Sequence, residues 1–210
     1  MRTVRRVLWV LVVLALAGFG WLLLTRTGQG TREDAAGRPV PREVAIDISE
    51  LGGSFALTDQ EGRRVSEKDV EGRPHAVFFG FTSCPDVCPT TLFALSQLLP
   101  QLGTDADRLK VQFVSVDPER DSVEQLKTYM SSFDPRILAL TGSREEIDTM
   151  VANYKAYARK VPTESGYTMD HTAVVYLMGP DGRFAGTLDL HETAEVQLGK
   201  LRRLVARPPA

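Results

Sequence analysis

The feature that most constrains this chain is Ala76-Val77-Phe78-Phe79-Gly80-Phe81, six consecutive residues with no polar side chain. A strand with one wet face alternates polar and apolar residues, so a short unbroken apolar run marks a strand covered on both faces. That coverage requires helices on either side of a sheet, and the flanking pattern supplies them. Ser54–Thr58, the turn Asp59-Gln60-Glu61-Gly62 and Arg63–Val65 predict a β-hairpin. Leu92, Phe93, Leu95, Leu98 and Leu99 predict a helix from near Pro89 to Pro100–Gly103. Val111–Val116 predicts a second buried strand. Ser122 with Gln125, and Ser143 with Glu146, read as capping boxes that open two further helices. Between them Ile137–Leu140 is a short strand. Thr172–Met178, the turn Gly179–Gly182 and Phe184–Leu190 form a closing hairpin, and Thr193 caps a last helix. Helices alternating with parallel strands, closed by antiparallel hairpins, define an α/β three-layer sandwich.

The N-terminus has a different character. Val7–Leu24 is an uninterrupted apolar run preceded by Arg2, Arg5 and Arg6. As a helix its 18 residues span roughly 27 Å at about 1.5 Å each, close to a hydrocarbon core of about 30 Å. A cleaved signal peptide is the competing reading, because Ala15-Leu16-Ala17 is a small-x-small site. The apolar run continues beyond that site and is longer than a usual signal core, so a retained anchor is expected. The arginines put residues 1–6 in the cytoplasm and everything after the anchor outside it. The expected organisation is a cytoplasmic stub at 1–6, a single transmembrane helix at 7–24, a linker at 25–49 and one outer domain at 50–207. Such a chain sits in the cytoplasmic (inner) membrane with its folded domain on the periplasmic or extracytoplasmic side.

Charge excludes one class of function. Without the four arginines of the first 26 residues, 21 positive side chains face 27 negative ones, a net of −6. No basic footprint for nucleic acid is present. Two cysteines exclude a disulfide-rich scaffold and a four-cysteine zinc site.

The chemistry concentrates where the buried strand passes into the first long helix, in Phe81-Thr82-Ser83-Cys84-Pro85-Asp86-Val87-Cys88-Pro89. Ligand sites of open α/β sheets gather at such carboxyl ends. The helix N-terminus there favours thiolate over thiol. Two outer cysteines can form a structural disulfide, form a redox disulfide, or ligate a metal. Thiol–disulfide pairs of the thioredoxin kind have two residues between the cysteines, and this chain has three. His171 precedes the strand 172–178. If that strand runs antiparallel to 76–81, its start lies at the sheet edge that carries the cysteines. Two thiolates and one imidazole are a soft three-coordinate set that suits Cu(I). Structural zinc wants a fourth ligand, which Asp86 would supply weakly.

Phe79–Pro89 together with Asp170-His171-Thr172 resembles the Sco/SenC family of copper chaperones, named for synthesis of cytochrome c oxidase. Gly53–Leu57, Val116–Asp121 and Tyr176–Phe184 extend the likeness over about residues 50–205. The resemblance implies a thioredoxin-like fold and one copper ion held by Cys84, Cys88 and His171, as Cu(I), with Cu(II) left open. It implies delivery to, or preparation of, the binuclear copper A centre in subunit 2 of cytochrome c oxidase. A second copper chaperone as donor and a thiol reductant are further expected partners. The chain departs from the family at Thr90 and Thr91, where acidic residues are common.

Around the site, Asp86 is expected to steer a partner or tune the metal. Asp170 is expected to orient His171 by accepting its second ring N–H. Asp117 and Asp121 read as structural, His75 and His191 as surface histidines, and Phe78, Phe79 and Phe81 as packing. No catalytic residue is assigned. The competing activity is thiol–disulfide exchange at Cys84 and Cys88. A peroxidase on the same scaffold is disfavoured, because no arginine lies within the Phe79–Pro89 loop.

Overall fold

The computed structural model describes residues 9, 18, 19, 21, 50–189 and 191–208. It divides into two units, Met1–Ile46 and Asp47–Ala210. In the first, Trp9, Gly18, Phe19 and Trp21 are helical; the remainder of the expected anchor at 7–24, and the linker at 25–49, lie outside the described residues. No helix among the described residues is long and apolar enough to cross a membrane.

The second unit is built on a seven-stranded sheet. Its elements run β1 (Ala56–Asp59), β2 (Arg64–Ser66), β3 (His75–Gly80), α1 (Val87–Gln101), β4 (Lys110–Ser115), α2 (Val123–Met130), β5 (Ile137–Thr141) and α3 (Arg144–Asn153). They continue with β6 (Ala158–Thr163), β7 (Gly166–His171), β8 (Val175–Met178), β9 (Phe184–Leu188) and α4 (Ala194–Val205). The sheet order is β2-β1-β5-β4-β3-β8-β9. β3, β4 and β5 are parallel, while β1 joins β5 and β8 joins β3 antiparallel.

The apolar run does what its composition demands. All six residues of β3 are buried, and successive side chains leave opposite faces of the sheet. Phe79 meets Tyr154 at the end of α3, and Tyr176. On the other face Phe78 meets Phe113, and Cys88 of α1 lies over Gly80. Helices therefore cover both sides of the sheet. Caps fix where the helices begin. The Ser122 hydroxyl accepts from the amide of Gln125, Ser143 and Glu146 form a complete capping box, and the Thr193 hydroxyl accepts from the amide of Val196. α1 starts at Val87, two residues before the expected proline.

Two sequence expectations need correction. The stretch between α3 and β8, to which the sequence assigns no element, holds two further strands. β6 and β7 pair in register from Ala158↔His171 to Thr163↔Gly166 as a separate two-stranded ribbon. Its residues carry no apolar alternation because it is largely exposed, with Met169 its single buried side chain. His171 consequently ends β7, and β8 starts at Val175 rather than Thr172.

His75 is not a surface residue either. It opens β3 between Lys110 of β4 and Met178 of β8 and is 4% exposed, whereas His191 is exposed. The carbonyl of Arg73 can only accept, so the Nδ1–H of His75 donates to it, at 3.1 Å. Burial holds the imidazole below its ordinary pKa of 6.5, against the opposing effect of that bond. The unfolded chain therefore takes up this proton first, and the stability of the neutral form is lost as pH falls from 6.5 toward the folded value. Urea midpoints should drop between about pH 7.5 and 5.5, and His75→Gln should flatten part of that slope; an unchanged slope would sink the assignment.

Candidate metal centre

β3 delivers the chain to the site at Gly80, and the loop 81–86 is held from beneath. Asp121, 1% exposed, accepts the Thr82 amide at 3.0 Å, the Thr82 hydroxyl at 2.6 Å and the Ser115 hydroxyl at 2.5 Å. The cysteine loop is thus tied to the end of β4. The Cys84 amide donates to the Phe81 carbonyl at 3.3 Å, which turns the chain before Pro85. Cys88 lies in the first turn of α1, where amides have no helical partner. Its amide donates to Cys84 Sγ at 3.4 Å, so the first thiol caps the helix that carries the second.

The topological expectation for His171 is met. β8 runs antiparallel to β3 with Val175 opposite Phe78, so the chain entering β8 stands at the sheet edge where β3 ends. His171 Nε2 lies 3.5 Å from Cys88 Sγ. The two sulfurs and one ring nitrogen all fall within 4.8 Å of one another. One ion bonded at about 2.0–2.3 Å in a trigonal plane would hold its ligands roughly 3.5–4 Å apart. The donor set therefore fits a single soft ion after a small contraction. Both cysteines are free thiols, Cys88 buried and Cys84 half-buried.

The electrostatics differ from the sequence expectation. Burial pushes the Cys88 thiol well above its ordinary range, and the charges of Cys84 and Asp121 add to the effect. The helix N-terminus does not prevail over desolvation, so the metal-free Cys88 is a thiol. A cation that binds there must displace its proton. Burial also lowers the His171 pKa, which leaves the ring neutral at neutral pH. Nδ1 lies 3.0 Å from the Thr172 carbonyl, an acceptor only, so Nδ1 carries the hydrogen and Nε2 keeps its lone pair toward the sulfurs. Phe81 and Phe78 stand edge-on to the ring at 5.7 and 6.4 Å between centroids.

Asp170 does not accept the ring N–H. It is exposed, and as the neighbour of His171 along β7 it leaves the opposite face of the ribbon. Its charge acts on the imidazole only as the smallest of three influences. Asp86 is exposed and accepts the Thr90 hydroxyl at 3.3 Å instead of capping the helix. Sequence reasoning missed Arg120, which the fold brings to 5.7 Å from the Phe81 ring centre. The nearby apolar run carries no sign of it; only the Asp117–Asp121 segment, read as structural, contained the hint.

Fold and site together define a thioredoxin-like α/β domain with two cysteines and a histidine converging at one sheet edge. Residues 44–206 match the SCO1/SenC family, and the chain belongs to it. It is 38% identical over 169 residues to the human mitochondrial SCO1 homolog, covering 79% of this chain and 56% of that protein. The chain thus spans about half the length of that curated relative. It superposes on Bradyrhizobium japonicum ScoI with copper bound at 49% identity and a TM-score of 0.69, covering 73% of this chain and 99% of that one. It also superposes on BsSco, a Sco-family cytochrome c oxidase assembly protein with a disulfide switch. That match has 25% identity and a TM-score of 0.62, and it covers 77% of this chain and 97% of that one.

Gly80 supplies a test of how tightly the site is seated. A Cβ there would lie 2.8 Å from Cys88 Sγ and 2.6 Å from Phe113 Cε2. Gly80→Ala should cost about 1–3 kcal/mol by overpacking and should make Cys88 react faster with a thiol reagent. Unchanged stability and reactivity would contradict this packing.

Proposed function

We propose that this chain is a membrane-anchored copper chaperone that binds one copper ion through Cys84, Cys88 and His171 and assists assembly of the copper A centre in subunit 2 of cytochrome c oxidase. The observation that carries the reading is the convergence of two sulfurs and a free imidazole lone pair within 4.8 Å. That donor set is soft and three-coordinate, which suits Cu(I) better than zinc. The copper-bound relative and the oxidase-assembly description of BsSco support the cargo and the destination. The same proposal places the segment 7–24 in the cytoplasmic membrane, with the outer domain on the extracytoplasmic side. Copper is cargo, so the site must release as well as hold. Cys88 is buried and anchors the ion, while half-buried Cys84 and His171 offer the open side on which a partner's ligands can replace them one at a time.

An anaerobic Cu(I) titration of the reduced full chain in detergent, against a chromogenic chelator, tests the reading. One equivalent should bind, Cys84→Ser and Cys88→Ser should abolish it, and His171→Ala should weaken it by more than the roughly tenfold that loss of an outer partner costs. Binding indifferent to His171 would reject the three-ligand site.

A second reading has a specific observation behind it: the paired free thiols, one accessible and one buried, in a chain that superposes on a protein with a disulfide switch. Here the Cys84 thiolate attacks a partner disulfide and expels one partner thiol. Cys88 then displaces the second, so two electrons pass to the partner and a Cys84–Cys88 disulfide remains. This route predicts that Cys84→Ser cannot form a mixed disulfide with a partner, whereas Cys88→Ser traps one. Trapping by neither variant argues against exchange.

A further inference from the structure

The ribbon that carries His171 is held in place mainly by side chains. A lone two-stranded ribbon is marginal in water, and β6 and β7 pair only with each other in the described sheets. Met169 packs into the core, and the loop after β4 supplies the polar part of the hold. Asp117 is wholly buried; its Oδ1 accepts the Tyr167 hydroxyl at 3.0 Å, and its Oδ2 accepts from Arg120 Nε. Arg120 Nη1 donates to the Tyr167 carbonyl at 3.1 Å. The guanidinium carbon stands 4.0 Å from the centre of the Tyr167 ring, on β7, and 5.7 Å from that of Phe81, just after β3. Lys160 of β6 also lies 4.1 Å from the Tyr167 ring centre and pairs with Glu119 at 2.6 Å. One planar cation thus joins a ribbon residue to the phenylalanine whose ring stands edge-on to His171 at 5.7 Å.

We propose that Arg120, fixed by Asp117 and set between Tyr167 and Phe81, is a positioning residue that holds the β6–β7 ribbon so that His171 Nε2 reaches the two sulfurs. This rests on the reading of His171 as the third copper ligand. Arginine suits the role because its plane stacks on rings while its rigid edge donates in two fixed directions; lysine, a point charge on a flexible stem, has neither the plane nor the fixed fork. The clamp touches neither cysteine, so its loss leaves the two-thiolate part of the site standing and withdraws only the imidazole.

The test joins Arg120→Gln to His171→Ala and reads Cu(I) affinity by chelator competition in the full chain. Arg120→Gln should weaken Cu(I) by about tenfold with the stoichiometry unchanged. Arg120→Lys should not rescue it. In the His171→Ala background the same substitution should have no further effect, because the ligand it positions is gone. Equal weakening on both backgrounds, or none on either, overturns the proposal. If Arg120→Gln loses its circular dichroism signature, Tyr167→Ala in the exposed ribbon takes its place in the same cycle. If the parent chain binds no Cu(I), the copper reading fails by itself and the metal-free protein decides the clamp by NMR. Loss of the His171–Phe81 ring contact in the variant then supports it, and an unaltered contact sinks it.

Discussion

Everything at this site depends on the close approach of Cys88 Sγ to the backbone of β3 at Gly80. The sulfur occupies space where a Cβ would otherwise stand, 2.8 Å away, with the Phe113 ring on the other side. That contact seats α1 on the sheet, buries one ligand completely and sets the depth of the site. Burial in turn keeps the metal-free Cys88 thiol protonated, so a cation that binds there must displace that proton. The opposite choice, an exposed low-pKa cysteine at the same helix terminus, would have made a nucleophile instead.

Spacing and placement act together. With three residues between the cysteines, Cys84 stays outside the helix, and its sulfur turns back onto the amide of Cys88. The bond satisfies an otherwise orphaned helix donor, a task that Asp86 leaves undone at the N-cap position. The two sulfurs then face the same side as His171 Nε2. Asp121 completes the arrangement from below by tying Thr82 to Ser115, and its own carbonyl accepts the Thr141 hydroxyl at 2.9 Å. One buried residue therefore links the cysteine loop to the ends of two parallel strands.

What was legible in the sequence is what burial and local chemistry write there. The apolar run of β3 and the serine and threonine caps could be read, because each follows from composition or from a hydrogen bond a few residues long; the antiparallel return at β8 entered only as the condition on which His171 was placed. The β6–β7 ribbon could not be read, since its residues face water on most sides and carry no period. His75 was misjudged because the strand starts one residue before the apolar run, where a polar residue is covered by neighbours distant in sequence. Asp170 was misjudged for a related reason: adjacency along a strand sends two side chains to opposite faces, and the ring N–H found a backbone carbonyl nearer to hand.

The three donors therefore differ in how firmly they are held. Cys88 is fixed by the core, Cys84 by one loop and its sulfur–amide bond, and His171 by a ribbon outside the main sheet. A cofactor site would gain from rigidity at every ligand, since each loose one lowers affinity. A site that passes its ion onward gains from a gradient, because a partner's ligands can enter where hold is weakest while the buried sulfur retains the metal. The gradient runs from the buried sulfur of Cys88 on α1 to the half-buried imidazole at the end of β7. Graded fixation of this kind is the structural argument for cargo over cofactor, and it arises from one glycine, one buried aspartate and one ribbon that the sheet does not absorb.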